Sequence, residues 1–154
     1  MKKLLLILLI ICPIVSYGQV KSSSETYREV SICKYSNTME LIYNEPTERY
    51  GIWFLSSNRY DSRCYLSLGE YEDALFSIDF FLDKMNILKT GETIEVEIGS
   101  EVILFTAEKY FGKCLIFRPK RQAGISYMHK VGLEKFKPEI INYQHKLDSL
   151  SAYK

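Results

Sequence analysis

Residues 62–85 read SRCYLSLGEYEDALFSIDFFLDKM, and the period of this stretch changes in the middle. Up to Leu68 the residues alternate. Cys64, Leu66 and Leu68 take one phase, and Arg63, Tyr65 and Ser67 the other, as in a strand buried on one face. After Gly69 the apolar residues Tyr71, Leu75, Ile78, Leu82 and Met85 recur at steps of four and three, which lays one stripe along a helix. Glu70, Glu72 and Asp73 sit in its first turn, where the helix dipole favours acids. Lys84 and Lys89 lie toward its end, and Thr90-Gly91 stops it. A strand that feeds directly into a helix is the unit from which the rest of the chain is read.

Working back from Ser62, three more strands precede it: Thr26–Cys33, Thr38–Tyr43 and Tyr50–Ser56. The turn residues Ser36-Asn37, the loop Asn44-Glu45-Pro46-Thr47 and the turn 57–61 separate them. Working forward, the plan repeats. Thr93–Ile98 alternates, Gly99-Ser100 fits a two-residue hairpin, and Glu101–Ala107 returns. Lys113–Arg118 and Ala123–His129 follow around a 119–122 loop. A second helical stripe runs through Leu133, Phe136, Ile140, Tyr143, Leu147 and Leu150. Pro138 predicts a turn near 132–136 and a main helix starting at Pro138, where proline suits the first helical position. Gly51 falls on Gly112, Trp53 on Cys114 and Leu66 on Tyr127, all 61 apart. The fold class expected is therefore α+β: two ββββα repeats, 26–90 and 91–154, each an antiparallel sheet packed by one helix, in a single compact domain.

Ahead of the repeats, Met1-Lys2-Lys3, the apolar run Leu4–Val15 and the small residues Ser16 and Gly18 have the three parts of a secretory leader. The reading is a signal peptide over 1–18, cut between Gly18 and Gln19, then a Ser-rich flexible lead-in over 19–25. Export to the periplasm or the outside follows from it. The run is short for a membrane span, which needs about 20 apolar residues. Cys12 resembles a lipoprotein acceptor only weakly, with Ile11 before it and Pro13 after. The whole chain carries a formal charge of +1. Without Lys2 and Lys3, and with no acid in 1–18, it falls to about −1, which offers no general field for nucleic acid or anionic membrane. Cys33, Cys64 and Cys114 are too few and too far apart for a disulfide scaffold, and no Cys-x-x-Cys spacing occurs.

The order of elements, four antiparallel strands and a helix given twice, resembles the PUR repeat and the related Whirly fold across 26–152. The resemblance rests on that order and on the Gly51/Gly112 register, with no family motif to quote. It implies two curved sheets with crossing helices, often intertwined, and single-stranded nucleic acid on the sheets. Arg59, Tyr60 and Arg63 in the first half, and Arg118, Lys120, Arg121 and Tyr127 in the second, are the basic and aromatic groups such binding would use.

The leading expectation is a non-enzymatic exported binding protein, with a protein or a glycan as partner and Tyr60 and Tyr65 on its recognition face. Single-stranded nucleic-acid binding is one alternative. A cysteine- or carboxylate-based hydrolase is another: it would use Glu95 with Glu97, roughly 7 Å apart on one strand face, or Asp79 with Asp83 on one helix face. A thiol version needs Cys64 or Cys114 brought to His129; His145 lies on the second helix. Two scattered histidines give no metal-ligand spacing, no Gly-rich phosphate loop is present, and no cofactor is expected.

Overall fold

The computed structural model describes residues 28–55, 63–98, 101–109, 112–117 and 125–152. Among these residues, two four-stranded antiparallel sheets and two helices make up an α+β fold. The first sheet is a meander of β1 (Glu29–Tyr35), β2 (Met39–Asn44), β3 (Arg49–Leu55) and β4 (Arg63–Gly69). Helix α1 (Tyr71–Ile87) follows at once. The second sheet repeats the order with β5 (Thr93–Ile98), β6 (Glu101–Lys109), β7 (Lys113–Phe117) and β8 (Ser126–His129), and α2 (Lys130–Ser151) ends the series. The leader, its cut site, the lead-in, the 57–61 turn, the Gly99-Ser100 hairpin and the 119–122 loop lie outside the described residues. The strands flanking that hairpin do pair in register, from Ile98 opposite Glu101 to Thr93 opposite Thr106.

Alternation decides what each sheet buries. Tyr50, Ile52 and Phe54 on β3 and Cys64, Leu66 and Leu68 on β4 are buried on one face. Phe105 on β6, Leu115 and Phe117 on β7 and Met128 on β8 do the same in the second sheet. The two inner faces meet. Phe54 and Phe117 touch edge-to-face at 4.9 Å between centroids, and Phe117 stacks on Phe105 at 5.0 Å. Phe81 of α1 joins the row at 4.9 Å from Phe105. Cys64 Sγ and Ser126 Oγ share a buried 2.9 Å hydrogen bond across the same seam.

The helix of the second repeat covers the sheet of the first. Tyr143 of α2 packs on Tyr43 and Tyr50 at 5.3 and 6.5 Å. The Tyr50 hydroxyl donates to Gln144 Oε1 at 2.9 Å, and Lys135 Nζ donates to the Lys34 carbonyl at 2.8 Å. Helix α1 contacts β3, β4 and β7 and runs antiparallel to α2. Lys137 binds Asp79 at 2.6 Å, and Lys130 Nζ donates to Asn86 Oδ1 at 3.0 Å.

Two expectations are corrected. Helix α2 begins at Lys130 and carries Pro138 in its interior, with no turn at 132–136. Proline inside a helix costs about 3 kcal/mol. Leu133 and Phe136, both fully buried in the first two turns, offset this at about 1.5–3 kcal/mol each. Gly132 fixes that start: a Cβ there would lie 2.9 Å from Met39 Sδ and 3.0 Å from Tyr35 Cδ1. The repeat spacing of 61 also fails between β4 and β8. Leu66 is buried on the inner face, whereas Tyr127 stands on the outer one, so here a spacing of 61 pairs opposite faces. Moving one residue along sets Leu66 on Met128, both nearly or fully buried, whereas in β3 and β7 the spacing of 61 sets the inward Phe54 on the inward Leu115.

Because the sheets close on each other, a cavity cut in the second should be felt in the first. Phe117→Ala is expected to lower the unfolding free energy by about 3–5 kcal/mol. Denaturant unfolding read by Trp53 emission should carry the whole loss; a Trp53 transition that does not move would contradict it.

Candidate functional site

The outer face of the first sheet gathers its polar and aromatic groups around Trp53. Inward phasing of Tyr50, Ile52 and Phe54 turns Gly51 and Trp53 outward, beside Arg63, Tyr65 and Ser67 on β4. Trp53 and Tyr65 are direct cross-strand partners, with ring centroids 5.1 Å apart and planes at 50°. Gly51 is what lets them lie down. A Cβ at this position would sit 2.3 Å from Tyr65 Cε2, so the Tyr65 ring rests on the Gly51 backbone. Trp53 Nε1 donates to Glu29 Oε2 at 3.0 Å, tying the pair to β1.

Next to the rings stands a charge network centred on Glu40, which is Trp53's partner on β2. Glu40 Oε1 accepts from Ser31 Oγ at 2.6 Å and lies 3.3 Å from Lys34 Nζ. Glu40 Oε2 accepts from Arg63 Nη1 at 3.0 Å. The Glu40 side chain is only 14% exposed, whereas those of Lys34 and Arg63 are 60% and 55% exposed. Burial pushes the Glu40 carboxyl up, but the Ser31 and Lys34 hydrogen bonds and the Lys34 and Arg63 charges outweigh it, so its pKa lies below the ordinary glutamate value. Burial also raises the Tyr65 phenol, with Ser67 and Arg49 pulling the other way and Glu29 adding to the rise. A cavity of about 210 Å³ opens beside this network, lined by Trp53, Glu40, Arg63, Lys34 and the 36–38 turn. Ser36 holds that turn with a positive φ of 50° and a 2.8 Å hydrogen bond to Thr38 Oγ1.

Of the residues singled out from the sequence, Arg63 and Tyr65 enter this site together. Tyr65 is half-buried under its neighbours rather than standing free. Tyr127 points outward from β8 on the other sheet, stacked on His129 with planes at 18°, so it shares no face with Tyr65. Arg59, Tyr60, Arg118, Lys120 and Arg121 lie outside the described residues. Tyr43 and Tyr50 belong to the core.

The catalytic pairings resolve differently. Cys64 faces Ser126, not His129, and burial raises its thiol. Cys114 does stand opposite His129 in the β7–β8 register, but it is 1% exposed. Burial pushes the Cys33 thiol up to about 11, with Glu139 adding to the rise and Lys135 opposing it. Both Asp79 oxygens bind Lys137, which takes that acid away from Asp83. Glu95 and Glu97 are exposed along β5, opposite Leu104 and Val102. Among the described residues, none of the three cysteines is in a disulfide. No group of three or more His, Cys, Asp or Glu could hold a metal ion there, and no helix is long and apolar enough to cross a membrane.

The sequence signal for Trp53 was its outward phase between the inward Ile52 and Phe54. The signal for Glu40 was a carboxylate set between Met39 and Leu41 in an otherwise apolar strand. Neither is decisive without knowing that β4 pairs with β3 and brings Arg63 and Tyr65 alongside. The chain matches no family model, no curated protein and no solved structure.

Glu40 sets a pH response. Its lowered folded pKa means its stabilisation is fully present above the ordinary glutamate value of 4.5 and is lost as pH falls through the lower folded value. Denaturation midpoints taken from neutral pH downward should therefore fall less steeply on the acid side for Glu40→Gln than for the parent protein. Parallel acid limbs would refute this role.

Proposed function

We propose that the protein is an exported, non-enzymatic binding protein that holds the end of a glycan chain on the outer face of its first sheet. The observation that carries this reading is the convergence of Trp53, Glu40, Arg63 and Lys34 on one concave site. A sugar presents an apolar C–H face and a rim of hydroxyls. The Trp53 ring, held by Tyr65 packed beside it, suits the first. A carboxylate, two cations and the hydroxyl and amide groups of 36–38 suit the second, as acceptors and donors at fixed places. At about 210 Å³, the cavity is smaller than the about 300–1,000 Å³ clefts that take drug-sized ligands. That size favours a chain terminus or one projecting group over a whole free ligand.

Binding is favoured over catalysis by the state of the groups present. Glu40 is held ionised between two cations, so it accepts hydrogen bonds and is a poor proton donor. The thiols of Cys33 and Cys64 are pushed away from the thiolate that nucleophilic chemistry needs. Export rests on the three-part leader at 1–18 and places the site where glycans and envelope proteins are met.

A second reading, single-stranded nucleic acid, is supported by one specific feature, the Trp53–Tyr65 pair on a sheet face beside Arg63 and Arg49. Stacking of bases on such rings is worth about 1–3 kcal/mol per base. Glu40 already engages Arg63 and Lys34, which leaves less positive charge for phosphates.

Trp53 is the one tryptophan of the chain and reports directly on the site. Titration with a panel of oligosaccharides should shift or quench its emission saturably for at least one member. Arg63→Ala should weaken that response by about tenfold or more, as expected for a lost charge-assisted hydrogen bond of about 1.5–3 kcal/mol. No response to any oligosaccharide, with a salt-sensitive response to an oligothymidylate, would replace the glycan reading with the nucleic-acid one.

A further inference from the structure

Helix α1 turns apolar side chains away from the core. Phe76 is 72% exposed and Ile87 60%. Phe80, one turn beyond Phe76, is half-buried, with the Lys84 ammonium 5.2 Å from its ring centroid. A groove of about 490 Å³ lies among Phe76 and Phe80 of α1, Val96 and Ile98 of β5, and the end of β4 with Arg49 of β3. Val96 and Ile98 lie on the inner phase of β5, yet they and Ile94 are only half-buried. Among the described residues, the core is therefore open along this side.

β5 is also an edge. It begins the strand order of the second sheet and, among the described residues, pairs only with β6. An unpaired strand edge is a template for another strand. The opposite phase of β5 is Thr93, Glu95 and Glu97, all exposed. Acids on an edge are a known guard against unwanted pairing. A guard, however, removes apolar surface from its neighbourhood, and Phe76 adds it.

We propose that the edge of β5 left unpaired among the described residues docks an extended segment of a partner protein in which apolar residues alternate with lysine or arginine. Such a segment would join the second sheet as a fifth strand, roughly 4.8 Å from β5. Its side chains would then alternate between the two faces. Those on the inner face close the groove over Phe76 and Phe80. Those on the outer face stand beside Glu95 and Glu97, where opposite charges stabilise and like charges destabilise the pair. The same row of acids disfavours a second copy of this chain at this edge, because two β5 strands side by side would set acid against acid. Main-chain pairing supplies the affinity, and the alternation supplies the specificity.

The test uses two labelled nine-residue peptides, one alternating lysine with valine and one alternating glutamate with valine, read by fluorescence anisotropy. The lysine peptide should bind saturably and about tenfold more tightly than the glutamate peptide at moderate salt. Glu95→Lys with Glu97→Lys should reverse that order. Phe76→Ser, a change at an exposed position that leaves the unfolding midpoint in place, should weaken the lysine peptide about threefold or more. Amide exchange should slow in 93–98 when the peptide is bound. Equal affinity for both peptides, an order unchanged by the charge reversal, or protection arising outside β5 would overturn the proposal. So would a concentration-dependent dimer of the protein alone that protects β5.

Discussion

The structure depends on one row of rings. Phe54 of the first sheet meets Phe117 of the second, Phe117 stacks on Phe105, and Phe105 meets Phe81 of α1. Each of the four is at most 2% exposed. This row dries the middle of both inner faces, where neither sheet alone supplies more than one side of the layer. The second constraint follows from the first. With the seam between the sheets filled along β3 and β8, the remaining inner surface of the first sheet, around Tyr43 and Tyr50, is closed by Tyr143 of α2. The helix of one repeat thereby serves the sheet of the other, and the two repeats form a single core.

Once the inner faces are committed to each other, function is left to outer faces and edges. On the first sheet, Gly51 lets Tyr65 lie flat and keeps Trp53 beside it, while Glu40 orders Lys34 and Arg63 around the cavity. Individually, such surface ion pairs are worth about 0–1 kcal/mol. Their contribution here is to fix the directions in which two cations and one carboxylate point. On the second sheet, the same commitment leaves β5 half-covered, with α1 presenting Phe76 beside it. The two surfaces answer to different chemistry, one polar and aromatic, the other a backbone edge with an acidic row.

Much of the fold was legible because period and burial agree locally. The switch at Gly69 from alternation to a helical stripe marks the β4–α1 junction, and Thr93–Ile98 coincides with β5. Legibility failed where tertiary packing overrode a local rule. Pro138 argues for a helix start, but Leu133 and Phe136 bury well enough to carry the helix back to Lys130. The repeat spacing of 61 failed by one residue between β4 and β8 for a related reason. Helix stripes tolerate a one-residue slip because three- and four-residue steps share a face, whereas in a strand the same slip changes faces, as Leu66 and Tyr127 show. The candidate site was half legible. Arg63 and Tyr65 stood out by phase and type, but Glu40 and Trp53 acquire meaning only through the β2–β3–β4 register, which joins residues more than twenty positions apart.

The two repeats share one core, so they should open as one unit. Native-state hydrogen exchange resolves this most directly, by comparing Ile52 at the centre of β3 with Leu115 at the centre of β7, both fully buried. Under conditions where exchange reports opening free energy, the two amides should yield the same value, and both should fall together as denaturant is added. A first sheet that opens at a distinctly lower free energy while Leu115 stays protected would show two separate cores and contradict the account.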